Sequence, residues 1–123
     1  MKITKRSKIF GCPTELTLDV LGGKWKTVIL CYLNERPCRY RDLRKLMPDL
    51  SDKILSERLA DLRARGLVEQ RRSGGASVYA LTSMGETLKP ALAALYTWGK
   101  KNARELGARV DDPFRRLDEE AGR

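Results

Sequence analysis

The chain has 123 residues, of which 41% are hydrophobic, enough for one domain with a modest core. It carries 25 Lys and Arg against 16 Asp and Glu, a formal charge of +9, so its partner is expected to be polyanionic, nucleic acid before an anionic membrane surface. It has no histidine, which excludes Ser–His and Cys–His catalysis and histidine-containing metal sites.

Residues 1–11 carry Lys2, Lys5, Arg6 and Lys8 with no acid and read as a loose basic arm. The same charges break any signal peptide, and no apolar run approaches the ~18 residues of a membrane span. The expectation is a cytoplasmic protein without metal or cofactor.

Pro13 to Leu21 is predicted helical, with Pro13 in the first turn and Glu15 at the positive end of the dipole. Gly22-Gly23 ends it. Lys24 to Asn34 is predicted as the central core helix, carrying Trp25, Val28, Ile29, Tyr32 and Leu33. Asn34 to Pro37 reads as a turn. Arg39 to Met47 is a third helix, with Tyr40, Leu43 and Met47 inward. Arg36 to Leu46 holds five basic residues against Asp42.

Ser51 to Gly66 has a marked start and a marked stop. Ser51 suits an N-cap, Leu50 and Leu55 a hydrophobic staple, and Gly66 a C-cap after Arg63 and Arg65. Leu55, Leu59 and Leu62 form one apolar stripe. The opposite side shows Lys53, Ser56, Glu57, Ala60 and Ala64. Two short helices, a turn and this capped helix make a helix-turn-helix. Leu67 to Arg72 and Ser77 to Leu81 are predicted strands around the flexible turn Ser73 to Ala76. A hairpin directly after such a helix is a wing. Thr82-Ser83 caps a last long helix, predicted to run to about Leu106 with a bend at Pro90. Its stripe of Leu88, Leu92, Leu95 and Trp98, together with Leu16, reads as a dimer face. Residues 107–123 read as a mobile tail or a short extra helix. The fold class is therefore mainly α with a small β-hairpin wing, a winged helix-turn-helix over residues 12–106 with dimerisation helices at both ends.

The basic residues Lys24, Arg39, Arg41, Lys45, Arg71 and Arg72 are candidates for phosphate contacts, which position a protein without reading sequence. Base reading falls to the leading end of the capped helix: Ser51, Asp52, Lys53, Ser56, Glu57 and, at its edge, Arg58. Lys53 can pair with guanine O6/N7, and Glu57 can accept from cytosine N4. Three cysteines are too few for a cysteine-only zinc site and odd for a disulfide framework. Cys12 precedes Pro13 at a helix N-terminus near Lys8, where dipole and charge favour the reactive thiolate. Cys38, among Arg36, Arg39 and Arg41, is a second redox candidate. Cys31 reads as inert core.

The motifs Cys12-Pro13, Leu21-Gly22-Gly23-Lys24-Trp25, Arg39-Tyr40-Arg41-Asp42-Leu43, Ser51-Asp52-Lys53-Ile54-Leu55 and Tyr79-Ala80-Leu81-Thr82 with Gly85 come in a familiar order. From about Cys12 to Trp98 the chain resembles the HxlR-type transcription regulators, a MarR-like branch of winged helix-turn-helix proteins. The resemblance implies a bacterial or archaeal DNA-binding homodimer joined through its first and last helices; without histidine, a Gly-rich phosphate loop or a paired-carboxylate constellation, no enzymatic activity is expected. Some members sense electrophiles or oxidants through a cysteine just before the first proline, the place of Cys12. Three other readings compete. One is a regulator with a small-ligand pocket lined by Trp25, Tyr32, Tyr96 and Trp98. Another is a winged-helix module for RNA or a protein. The third is a thiol peroxidase built on Cys12.

Overall fold

The computed structural model describes residues 9–121. The basic side chains of the N-terminal arm lie outside the described residues. The elements in chain order are α1 (Pro13–Leu21), α2 (Lys26–Glu35), α3 (Tyr40–Leu46), α4 (Asp52–Ala64), β1 (Val68–Ser73), β2 (Ala76–Leu81), α5 (Ser83–Glu86), α6 (Lys89–Asn102) and α7 (Pro113–Ala121). Among the described residues no helix is long and apolar enough to cross a membrane.

The ends of α4 are the ones its sequence specifies. Ser51 Oγ accepts from the Ile54 N–H at 3.2 Å, and Leu50 and Leu55 are both buried. Gly66 takes the left-handed conformation, φ +78, so that Gly66 N–H reaches the Arg63 carbonyl and Leu67 N–H the Leu62 carbonyl. Leu55, Leu59 and Leu62 enter the core beside Ile29, Leu30, Tyr32 and Leu43.

The wing is tighter than the expected four-residue turn. β1 and β2 pair antiparallel from Val68↔Leu81 to Ser73↔Ala76, leaving only Gly74 and Gly75 in the loop. Both have positive φ, which a two-residue hairpin turn of matching twist requires. The segment after α2 is not a plain turn either. Cys38 exchanges backbone hydrogen bonds with Tyr79, at 2.9 and 2.7 Å, and adds a short third rung to the hairpin.

The predicted long C-terminal helix is two helices. Pro90 has no N–H to donate, and it sits in the first turn of α6, where none is needed. The chain from α5 to α6 passes through tight turns at Thr87 and Leu88 instead of bending mid-helix. Gly85 in α5 lies so close to the Leu67 carbonyl that an added Cβ would be 2.2 Å from its oxygen. Beyond α6 the chain turns at Gly107, and α7 packs back on α2 and α3 with Leu117 buried and Phe114 against the core. Of the two options for residues 107–123, a short helix is what forms. Asp112 caps it, accepting from Phe114 N–H at 3.0 Å and from Tyr96 Oη at 2.7 Å.

The placement of α4 against α2 rests on a turn that periodicity alone does not predict. The helix expected to start at Lys24 starts at Lys26, because Trp25 is left-handed at φ +84. For a bulky L-residue this conformation costs on the order of 1–3 kcal/mol and persists only when its surroundings hold it. Here it aims the Lys24 carbonyl at α4, where Arg58 Nε donates to it at 2.9 Å. It also turns Lys26 inward. Lys26 is 4% exposed, and its ammonium donates to Asp61 Oδ2 at 2.6 Å. Asp61 in turn faces Arg65, which reaches Asp19 of α1 at 3.2 Å.

Lys26 hydrogen-bonds the Asp61 carboxylate and holds its pKa below the usual carboxylate range. A depressed carboxyl contributes stability above its unfolded pKa of about 3.9, and loses it as pH falls through the folded value. Asp61→Asn leaves the buried ammonium without its counter-charge. The expected cost is about 2 kcal/mol, less than for a fully buried pair because Asp61 is partly solvated. In thermal melts the gap between wild type and Asp61→Asn should be widest at neutral pH and should close below about pH 4. A gap that stays constant across this range would contradict the ion-pair account.

Candidate nucleic-acid interface

The leading turn of α4 is presented to solvent as expected. Ser51, Asp52, Lys53, Ser56 and Glu57 are all exposed, while the leucines of the same helix are buried. The free N–H groups and the positive dipole end of α4 lie at this turn, a suitable approach for phosphate. Ala60 and Ala64 continue the same exposed side with little bulk, so a groove wall can come close.

Two of the expected readers are already engaged. Arg58 is half-buried and its Nε donates to the Lys24 carbonyl, a contact that docks α4 on the turn before α2. Asp52 Oδ1 accepts from Tyr40 Oη at 2.7 Å and lies 3.1 Å from Arg44 Nε, committing that oxygen to α3. Arg44 Nη1 also donates to the Leu50 carbonyl, which stiffens the turn between the two helices.

The six expected phosphate contacts, Lys24, Arg39, Arg41, Lys45, Arg71 and Arg72, are all exposed. Lys24 lies over the Trp25 ring at 5.0 Å, a cation–π contact that leaves the ammonium at the surface. Arg39 and Arg41 begin α3, whose start is closed by Asp42 accepting from Arg39 N–H at 2.9 Å. Arg71 on the wing faces Glu69 at 3.4 Å, a solvent-screened pair that a phosphate can displace. Residues that sequence reasoning missed are Lys26, Asp61, Arg44 and Tyr40. The signal for Lys26 was a lone charge at the start of the apolar helix α2. Tyr40 packs against the core as expected, and its hydroxyl in addition reaches across to α4.

The three cysteines are free thiols in three different environments. Cys12 is exposed at the N-cap of α1, and the backbone N–H groups of Glu15 and then Thr14 hold its pKa below the usual thiol value. Cys38 is fully buried behind the wing, and burial pushes its thiol up. The expectation of Cys38 as a second redox candidate is therefore corrected: Arg39 and Arg41 are near in sequence, but the backbone exchange with Tyr79 turns Cys38 inward. Burial likewise raises the Cys31 thiol.

The expected dimer residues divide. Leu16, Leu95 and Trp98 are exposed, Trp98 by 61%. Leu92 is 4% exposed and belongs to the core of the single chain, and Leu88 is half-buried against that core. The reason is geometric: after the break at Thr87, α6 lays its Leu88–Leu92 edge on α2. Leu18, Leu106 and Val110 are exposed as well. Trp25, Tyr32, Tyr96 and Trp98 do not line one pocket. Trp25 and Tyr32 border a cavity of about 240 Å³ beside α7, whereas Tyr96 and Trp98 border separate crevices.

A family model described as HxlR-like helix-turn-helix matches residues 20–106. The chain is 34% identical over 115 residues to the HTH-type transcriptional regulator YtcD of Bacillus subtilis, covering 91% of this chain and 89% of YtcD. Among solved structures, the redox regulator HypR in its reduced form matches with a TM-score of 0.72 at 32% identity, over 78% of this chain and 98% of HypR. Quinone-bound YodB from B. subtilis matches with a TM-score of 0.64 at 28% identity, over 73% of this chain and 99% of YodB. The matched span runs from the end of α1 to just beyond α6 and takes in the helix-turn-helix and the wing. The chain belongs to the HxlR-like helix-turn-helix family and is a transcriptional regulator of that type, in a family of regulators and not of enzymes.

Proposed function

We propose that the protein is a sequence-specific regulator that binds an inverted-repeat operator as a homodimer, with α4 of each protomer entering the major groove by its leading end. The observation that carries this reading is the exposed set Ser51, Lys53, Ser56 and Glu57, flanked by the exposed arginines of α3 and the wing. Lys24, Arg39, Arg41, Lys45, Arg71 and Arg72 take phosphates, so binding weakens with salt by roughly 0.9 decades per decade of salt for each phosphate neutralised. The partner surface is built from Leu16 and Leu18 of α1 and Leu95 and Trp98 of α6, large apolar side chains left exposed in the single chain. Pairing there sets the two reading helices about one helical turn apart, ~34–36 Å.

We further propose that oxidants or electrophiles act on Cys12. Its exposure and lowered pKa supply thiolate, the reactive form. HypR is a redox regulator solved in reduced and oxidized forms, and YodB is solved with quinone bound, which supports this reading for a chain of the same family. Because α1 also carries Leu16, modification of Cys12 alters the pairing of protomers and thereby the spacing of the two α4 helices.

Two measurements test these readings. Lys53→Ala should lose about 1–2 kcal/mol of specific binding with an unchanged melting temperature, whereas Leu59→Ala should destabilise the fold by about 3 kcal/mol. Unchanged affinity and selectivity of Lys53→Ala in a DNA shift assay would remove α4 from the groove. Diamide or a quinone should change the DNA affinity of wild type and leave Cys12→Ser unaffected. An equal response of the two proteins would eliminate Cys12 as the sensor.

A further inference from the structure

Tyr40 is the side chain whose position the proposed contacts leave unused. It starts α3, is half-buried, and sends its hydroxyl across to the first turn of α4. There its oxygen lies 2.7 Å from Asp52 Oδ1, 3.3 Å from the Asp52 carbonyl and 3.4 Å from Ser56 Oγ. Asp52 and Ser56 are one helical turn apart on the same face of α4, and Lys53 lies beside them.

The protons on this chain of groups can be counted. A tyrosine hydroxyl has one proton to donate, and a serine hydroxyl has one proton and two lone pairs. The Asp52 carboxylate is acceptor-only when ionised, and its Oδ1 is held in place by Arg44 Nε at 3.1 Å. A short bond to a charged acceptor is much stronger than a longer one to a neutral hydroxyl, so the Tyr40 proton goes to Asp52. The Tyr40 oxygen can then only accept from Ser56. A hydroxyl rotor turns at little cost, so this longer contact suffices to direct the Ser56 proton towards Tyr40. The outer side of Ser56 Oγ is left with a lone pair facing solvent.

The major-groove edge offers hydrogen-bond donors only at adenine N6 and cytosine N4. Guanine O6 and N7, adenine N7 and thymine O4 are acceptors. We infer that Tyr40 is a positioning residue that, through Asp52, fixes Ser56 as a hydrogen-bond acceptor and so selects an amino-bearing base, adenine or cytosine, at the position Ser56 reaches. Asp52 on this account orients the readers and is not itself one. The inference rests on the proposal that α4 lies in the major groove.

The test is a selection from a pool of duplex DNA with randomised inverted-repeat half-sites, run on wild type, Tyr40→Phe, Ser56→Ala and Lys53→Ala. Wild type should favour an amino over a keto edge by about threefold to tenfold at one position of each half-site. Ser56→Ala should flatten that position. Tyr40→Phe, which keeps the ring, should reduce the preference there to under about twofold, because the serine hydroxyl then donates or accepts with equal ease. Preferences at the other positions should not move even where the lost hydrogen bond lowers the melting temperature, which a merely structural role for Tyr40 would not produce. Wild-type preference retained by Tyr40→Phe at the position that Ser56→Ala flattens would overturn the inference, as would a wild-type keto preference there. If neither Ser56→Ala nor Lys53→Ala changed any position, the placement of α4 in the groove would itself fall.

Discussion

The turn Gly22-Gly23-Lys24-Trp25 and the buried lysine after it hold α4 in place. Two contacts leave this short stretch for α4, a backbone carbonyl to Arg58 and an ammonium to Asp61. Their donors and acceptors sit three residues apart on α4, on one flank, so together they fix both its roll and its tilt. Neither contact forms if α2 begins at Lys24. The left-handed Trp25 and the positive-φ Gly23 delay the helix by two residues and turn Lys26 into the protein. The strain at Trp25 is offset by an ion pair and a charge-assisted hydrogen bond. This gives a physical reason for a glycine pair followed by lysine and tryptophan at this point in the chain.

From that constraint the two surfaces of the molecule follow. With the leucine stripe of α4 turned into the core, its polar side and the arginines of α3 and the wing are left facing outward, on the side proposed for DNA. The opposite resource, apolar surface, collects on α1 and α6, where Leu16, Leu18, Leu95 and Trp98 remain uncovered. Cys12 heads the first of these helices. Chemistry at a single exposed thiol therefore has a short route to the proposed pairing surface, and through pairing to the distance between two reading helices. α7 braces the other side. It begins after the end of the family match at residue 106, and Leu117 and Phe114 press on α2 and α3 beneath the helix-turn-helix.

Much of this was legible in the sequence, and what was not has identifiable causes. Local signals read correctly: Ser51 and Gly66 bound α4, two glycines make the wing turn, and the leucine periodicity names the buried face. Errors arose where a long-range contact overrides a local one. Cys38 looked electropositive from its neighbours, but a backbone exchange with Tyr79, forty-one residues away in sequence, buries it. Leu92 looked like part of a continuous dimer stripe, but Pro90 restarts the helix and returns that edge to the core. The ring of Tyr40 packs on the core as its apolar pattern indicates, and only the partners of its hydroxyl on the next helix were not legible. The tie from Arg58 to the Lys24 carbonyl was not legible either, because a charge on the leading half of α4 looks the same whether it faces a phosphate or a carbonyl of its own chain.

The central claim is geometric, that the leading turn of α4 lies in the major groove twice per operator. Dimethyl sulfate protection on a duplex recovered by genomic footprinting addresses it directly, because the reagent methylates guanine N7 in the major groove and adenine N3 in the minor groove. The account predicts guanine N7 protection in two clusters centred about 10 base pairs apart. Protection confined to adenine N3, or a single cluster without a symmetric mate, would contradict it.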